Sequence, residues 1–273
     1  MSGRYLSEAA YRGFAAQLVE RDLAVLKHVA DLRFVSGPQL TRLCFAGGDD
    51  LDVSARAARR ALLRLVRLGA LARLPRPVGG VRSGSAGFVY HLGLGGQRLA
   101  VDRGWQPERR RRRSLTPGTL FVRHALQVSE LHVQLIEADR SRRVELLELS
   151  GEPACWRSYG GLAAQRQTLK PDSFVRLGVG PYEDSYFIEV DRGTEGSRAL
   201  MRQLQLYVAY YLSGQEQTGR GVFPRVLWLA PNDRRAEVIE DCVIQLPAAA
   251  RELFQAARFD QALSVITNTK INK

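Results

Sequence analysis

Five consecutive arginines, Arg109 to Arg113, constrain the fold of this chain more than any other stretch. Adjacent like charges repel and cannot be packed into an apolar core, so the chain must fold on either side of them. Pro107 to Pro117 is therefore the natural linker, either a solvated one or a clamp on a polyanion backbone through residues such as Arg110 and Arg112. The boundaries that follow are a domain over 1–106, a basic linker over 107–116 and a second domain over 117–273. In a chain of 273 residues either side is large enough to bury a core.

Charge separates the same two parts. Residues 1–116 hold 21 Lys and Arg against 9 Asp and Glu, whereas residues 117–273 hold 19 of each. The whole excess of +12 lies in the first part, which points to a polyanionic partner there and a separate task for the rest. Hydrophobic residues at 45 % exclude wholesale disorder. No apolar run approaches the roughly 18–20 residues of a membrane span, so a membrane is not an expected partner. The start, Met1 to Tyr5, leads into a polar helix rather than a signal-peptide core. Three cysteines, Cys44, Cys155 and Cys242, are odd in number and have no metal-binding spacing, as in a reducing cytoplasm, the expected location.

Periodicity predicts the elements. Leu23, Leu26, Val29, Ala30 and Leu32 stripe a helix over 20–33. Phe34 to Gly37 reads as a turn, Ser36 as an N-cap and Pro38 as the first turn of a helix reaching Phe45. A third helix begins after Asp52 or Ser54 and ends at Gly69. Strands over 70–74 and 87–92 flank a Gly-, Pro- and Ser-rich connection, and a short helix covers 94–103. Three short helices followed by a hairpin are the skeleton of a winged helix-turn-helix. After the linker come a long helix over 119–140, strands over 144–149, 168–177 and 185–191, a helix over 195–212, a strand over 225–230 and C-terminal helices. The whole is a mixed α+β chain whose second part runs α-β-β-β-α-β.

The third helix carries the candidate DNA-reading surface. At 100° per residue, Arg56, Arg59, Arg60, Arg64 and Arg67 fall within an arc of about 140°. Ala58, Ala61, Leu62 and Leu65 lie opposite and would pack on the first two helices. Guanidinium forks suit phosphates and the O6/N7 edge of guanine. The arginine face lacks the acidic partners of a self-neutralised surface helix. Arg73, Arg76 and Arg82 in the wing would contact phosphates or the minor groove.

Several stretches together resemble the replication-relaxation family, found mostly on plasmids and other mobile elements of Gram-positive bacteria. They are Arg21-Asp22-Leu23-Ala24-Val25-Leu26, Leu32-Arg33-Phe34-Val35-Ser36 and Gln39-Leu40-Thr41-Arg42-Leu43-Cys44-Phe45. In the second half they are Leu169-Lys170-Pro171-Asp172 and Phe187-Ile188-Glu189-Val190-Asp191-Arg192-Gly193-Thr194-Glu195, with Tyr207 beyond and His124 in the long helix. The resemblance covers roughly residues 20–212 and implies DNA binding in the replication or maintenance of a mobile element. Duplex DNA, a second copy of the chain, and replication or mobilisation proteins are the partners expected.

The second half is also similar to the PD-(D/E)XK nuclease superfamily. Asp172 follows Pro171 on one predicted strand, and Glu189 and Asp191 lie two apart on the next, hence on one face. That likeness implies Mg²⁺ held by Asp172 and Glu189, with the Val190 carbonyl completing the set. Gln203 and Tyr207 look like the Gln-x-x-x-Tyr signature of one branch of those nucleases. The position of the family's lysine is Asp191, a departure from the pattern. Lys170, expected on the same strand face as Asp172, could replace it; Asp191 and Glu130 could serve as further ligands. Alternatively these acids are structural, paired with Arg192, Arg198 or Arg202, in a nuclease-like fold without activity, which the departure favours. The functions this leaves are a sequence-specific DNA-binding protein of a mobile element, a Mg²⁺-dependent endonuclease targeted by the winged domain, and an autoregulatory transcriptional repressor. His124 and His132 read as hydrogen-bonded core histidines, with a proton-shuttling role for His124 as the alternative.

Overall fold

A computed structural model describes residues 7–46, 50–74, 87–106, 117–160, 166–179 and 181–267. The chain forms two compact units, residues 1–133 and 134–273, and is mixed α+β. The division falls inside the long helix of residues 119–140 rather than at the arginine run, which lies outside the described residues.

In the first unit, α1 (Glu8–Ala15) and α2 (Glu20–Leu32) lead into a two-residue strand, β1 (Val35–Ser36). The sequence reads β1 as a turn because two residues cannot display an alternation. Ser36 then caps α3 (Gly37–Cys44): its hydroxyl accepts from the Gln39 N–H, and the Gln39 side chain accepts from the Ser36 N–H at 3.0 Å. Pro38 sits in the first turn, where a missing N–H costs nothing. Helix α4 (Leu51–Arg67) starts earlier than its apolar pattern, because Asp50 accepts from the N–H groups of Asp52 and Val53 and so sets the N-cap. Gly69, at φ +72°, turns the chain from α4 into β2 (Leu71–Arg73). β2 pairs antiparallel with β3 (Val89–Leu92), β1 pairs with the other edge of β3, and α5 (Leu94–Asp102) follows. Val25, Leu26, Val29, Leu40, Leu43, Ala58, Leu62 and Leu65 are all buried and form the core under these helices. The last helix, α6 (Thr119–Arg140), begins in this unit.

In the second unit a five-stranded sheet runs in the order β10-β9-β8-β7-β4. Its strands are β4 (Glu145–Gly151), β7 (Ser173–Val179), β8 (Tyr182–Val190), β9 (Arg225–Ala230) and β10 (Phe254–Arg258). β4, β7 and β8 are antiparallel; β9 and β10 join parallel to β8. A parallel pair needs a crossover, which α7 (Ser197–Leu212) and α8 (Gln215–Arg220) supply between β8 and β9. α9 (Asp233–Ile244) and α10 (Ala248–Arg251) lead to β10, and α11 (Ala262–Thr267) ends the described chain. Phe174, Phe187, Leu200, Leu204, Tyr207, Val226 and Trp228 are the heart of the core.

The strand expected over 168–177 is two strands. β6 (Arg166–Leu169) pairs with β5 (Arg157–Gly160) in a separate two-stranded sheet, and Ser173 then opens β7 opposite Ile188. Pro171, which has no N–H to donate to a ladder, marks the switch. The sequence pattern announces neither β5 nor β10, and β10 occupies a stretch that reads as helical.

Candidate functional site

The outer face of α4 matches its wheel. Ala58, Leu62 and Leu65 are buried and Ala61 is half-buried, while Arg56, Arg59, Arg60 and Arg67 are exposed. Arg56 Nε donates to the Asp52 carbonyl of its own helix at 3.2 Å. Arg64 departs from expectation, because it does meet an acid, one carried by another helix. Its guanidinium donates to the Asp22 carboxylate of α2 and, at 3.3 Å, to the Gln17 carbonyl. Asp22 is buried and also accepts from the Val19 N–H at 2.9 Å, so one carboxylate caps α2 and holds Arg64. Among the described residues only Arg64 of the five meets an acid. Val53 and Leu63 share the exposed face, and with Arg56, Arg59 and Arg60 they line one shallow groove.

Of the wing arginines, Arg73 is half-buried and stacks on the Phe88 ring at 4.4 Å. Arg76, Arg82, Arg110 and Arg112 lie outside the described residues.

In the second unit the end of β8 gathers the acids. Asp172, between β6 and β7, is buried and accepts from the Val190 N–H at 2.7 Å. Glu189, on β8, is 5 % exposed and accepts from the Tyr207 hydroxyl at 2.5 Å, and the Gln203 side chain of the same helix also favours its charged form. The expected pair of α7 residues thus converges on one carboxylate, as an i, i+4 spacing permits. Burial, reinforced by the charge of Asp172, holds the Glu189 carboxyl well above the ordinary carboxylate range; the Tyr207 hydrogen bond and the Gln203 amide oppose that shift only in part. Burial and the neighbouring Glu189 likewise push the Tyr207 hydroxyl well up.

Asp191 has a different setting. It lies just past β8, and Arg235 of α9 grips it through two hydrogen bonds, Nε at 2.9 Å and Nη2 at 2.7 Å. The Gly193 N–H also donates to it. Its partner is therefore neither Arg192, Arg198 nor Arg202; Arg235, 44 residues away, has no local pattern to reveal it. Lys170 is exposed and lies over the Trp156 ring at 4.9 Å; with the chain broken between β6 and β7, strand alternation does not place it beside Asp172. Glu130, expected as a further ligand, belongs to the first unit, where it accepts from Arg42 at 2.5 Å and Gln39 at 3.1 Å.

These surroundings fit a resident Mg²⁺ poorly. Asp191 is neutralised by Arg235, at least one oxygen each of Asp172 and Glu189 is already hydrogen-bonded, and burial favours the neutral form of Glu189. Among the described residues no three of His, Cys, Asp or Glu converge as a metal site. His132 is buried in the first unit, where desolvation and His28 push its pKa down to about 3, as befits a neutral core histidine; His124 is half-buried on the same helix.

Among the described residues no helix is long and apolar enough to cross a membrane. No curated protein and no solved structure matches the chain. One family model does, over residues 26–226, a span that takes in α4's arginine face and the acids at the end of β8, and by that match the chain belongs to the replication-relaxation family.

Proposed function

We propose that this chain is a sequence-specific duplex-DNA-binding protein serving the replication, maintenance or regulation of a plasmid or other mobile element. The observation that carries the reading is the outer face of α4: four exposed arginines on a helix whose opposite side is buried. The succession α2, β1, α3, α4, β2, β3, with β1 and β2 on either edge of β3, supports a winged helix-turn-helix over 1–106. A homodimer on a two-fold site belongs to the same reading. Fluorescence anisotropy with labelled duplex tests it: Arg56→Ala/Arg60→Ala/Arg67→Ala should weaken binding at least tenfold at moderate salt. Unchanged affinity would overturn the reading.

The second unit fits a nuclease-like fold without activity better than an endonuclease, because an Arg-bound aspartate stands where that fold carries its lysine. The convergence of Asp172, Glu189, Gln203 and Tyr207 is what favours the endonuclease reading. Supercoiled plasmid incubated with the protein and Mg²⁺ or Mn²⁺ should stay intact. Nicking that Asp172→Ala and Glu189→Ala abolish would establish the enzyme instead. An autoregulatory repressor would share the DNA chemistry and differ in its footprint, which would cover the chain's own promoter.

A further inference from the structure

On the wheel of α4 the outermost ridge is not wholly cationic. It runs Asp52, Val53, Arg56, Arg60, Leu63, Arg67, and its two apolar members are 52 % and 37 % exposed. Arg64 lies off this ridge, toward α2, where Asp22 holds it. Single exposed apolar side chains are common. These two, however, line the same shallow groove as Arg56, Arg59 and Arg60, so whatever meets the guanidiniums meets them as well.

That juxtaposition selects a ligand. Phosphates attract guanidiniums but offer nothing to Val or Leu, so a surface for backbone contacts alone has no use for them. The major groove of duplex DNA presents both kinds of partner: guanine O6/N7 edges for arginine, and the 5-methyl of thymine as its apolar group. Ten residues of helix separate Val53 from Leu63, about 15 Å at 1.5 Å per residue, or four to five base pairs. RNA is disfavoured, since uracil lacks the methyl and the A-form major groove is too narrow for side chains to read.

Building on the DNA-binding reading, we propose that Val53 and Leu63 are specificity-determining residues that read thymine methyl groups in the major groove, between guanines read by Arg56 and Arg60. Arg64, fixed by Asp22, takes no part in base reading. The site recognised therefore contains thymines whose methyl groups matter.

The test starts with a random-sequence duplex pool enriched by the full-length protein. In the enriched site each thymine is then replaced by uracil, which removes the methyl group alone. Wild-type protein should lose about fourfold in affinity at each of two positions, the equilibrium equivalent of one buried methyl group. Leu63→Ala should bind thymine and uracil probes equally at one of them, Val53→Ala at the other, both keeping the wild-type salt dependence. Because both side chains are exposed, these variants leave the core intact. Tight binding without enrichment, an enriched site indifferent to uracil, or a Leu63→Ala protein that still distinguishes the probes would each overturn this inference and leave DNA binding standing. No salt-dependent binding to any duplex would remove both.

Discussion

At the residue scale, Glu189 is an acid buried where its charged form is disfavoured. Because burial raises the pKa of Glu189 above 4.5, the folded chain holds a proton over a pH range in which the unfolded chain has already released it. That stabilisation is complete below the unfolded value and is lost as the pH rises toward the folded one. Glu189→Gln keeps an acceptor for Tyr207, carries no charge, and can donate toward Asp172. It should therefore be more stable than the parent by about 1–3 kcal/mol at pH 8 and by less at pH 5, measured by urea unfolding. Equal stability at both values would mean that Glu189 is not destabilised by its surroundings. Arg64 and Arg60 offer a second contrast. Arg64→Met leaves the buried Asp22 with only the Val19 N–H and should cost about 1–2 kcal/mol, discounted because Arg64 is itself half-exposed. Arg60→Met should stay within about 0.5 kcal/mol of wild type. A reversed order would show Asp22 indifferent to its partner.

At the element scale, the long periodic segments were legible and the short or interrupted ones were not. α6 and β9 fall where the sequence puts them, α6 because it is long enough to display its period and β9 because Val226 to Ala230 form an unbroken apolar run between clear boundaries. β1 is too short, and the sequence reads 168–177 as one strand straight across the break at Pro171. The same limit applies to the site. Asp172, Glu189, Gln203 and Tyr207 are named by the resemblance to a nuclease motif, whereas Arg235 and Asp22 meet their partners only through tertiary packing. Gln39 shows how an element can carry both kinds of information. Its side chain completes the cap of α3, which a sequence can announce, and its amide also donates to the Leu126 carbonyl of α6 at 2.9 Å and to Glu130, which it cannot. Gln39→Ala should cost about 2–3 kcal/mol, beyond the roughly 1 kcal/mol typical of a cap alone. Thermal or urea unfolding checks this; a loss near 1 kcal/mol would leave the bonds to α6 without energetic weight.

At the scale of the whole molecule, the segregation of charge makes a prediction that neither unit makes alone. Both parts of the chain carry exposed arginines, so a generic attraction to DNA would draw on either set. In the second unit Arg198, Arg202 and Arg234 are exposed, but the acids of residues 117–273 balance its cations, and the field it projects is correspondingly weak beyond a Debye length of about 10 Å at 0.1 M salt. The excess over residues 1–116 has no such compensation. Each phosphate contact releases counterion and contributes about 0.9 to the slope of log affinity against log salt. Arg56→Ala/Arg60→Ala/Arg67→Ala should therefore flatten that slope, by about 0.9 for each of the three that meets a phosphate rather than a base. Arg198→Ala/Arg202→Ala/Arg234→Ala removes the same number of charges from the full-length chain and should leave the slope where it was. The comparison holds net charge fixed between the two variants, so it reads location alone. A slope that fell equally in both would mean that DNA responds to the total charge of the molecule, and the division of labour drawn from its distribution would have to be abandoned.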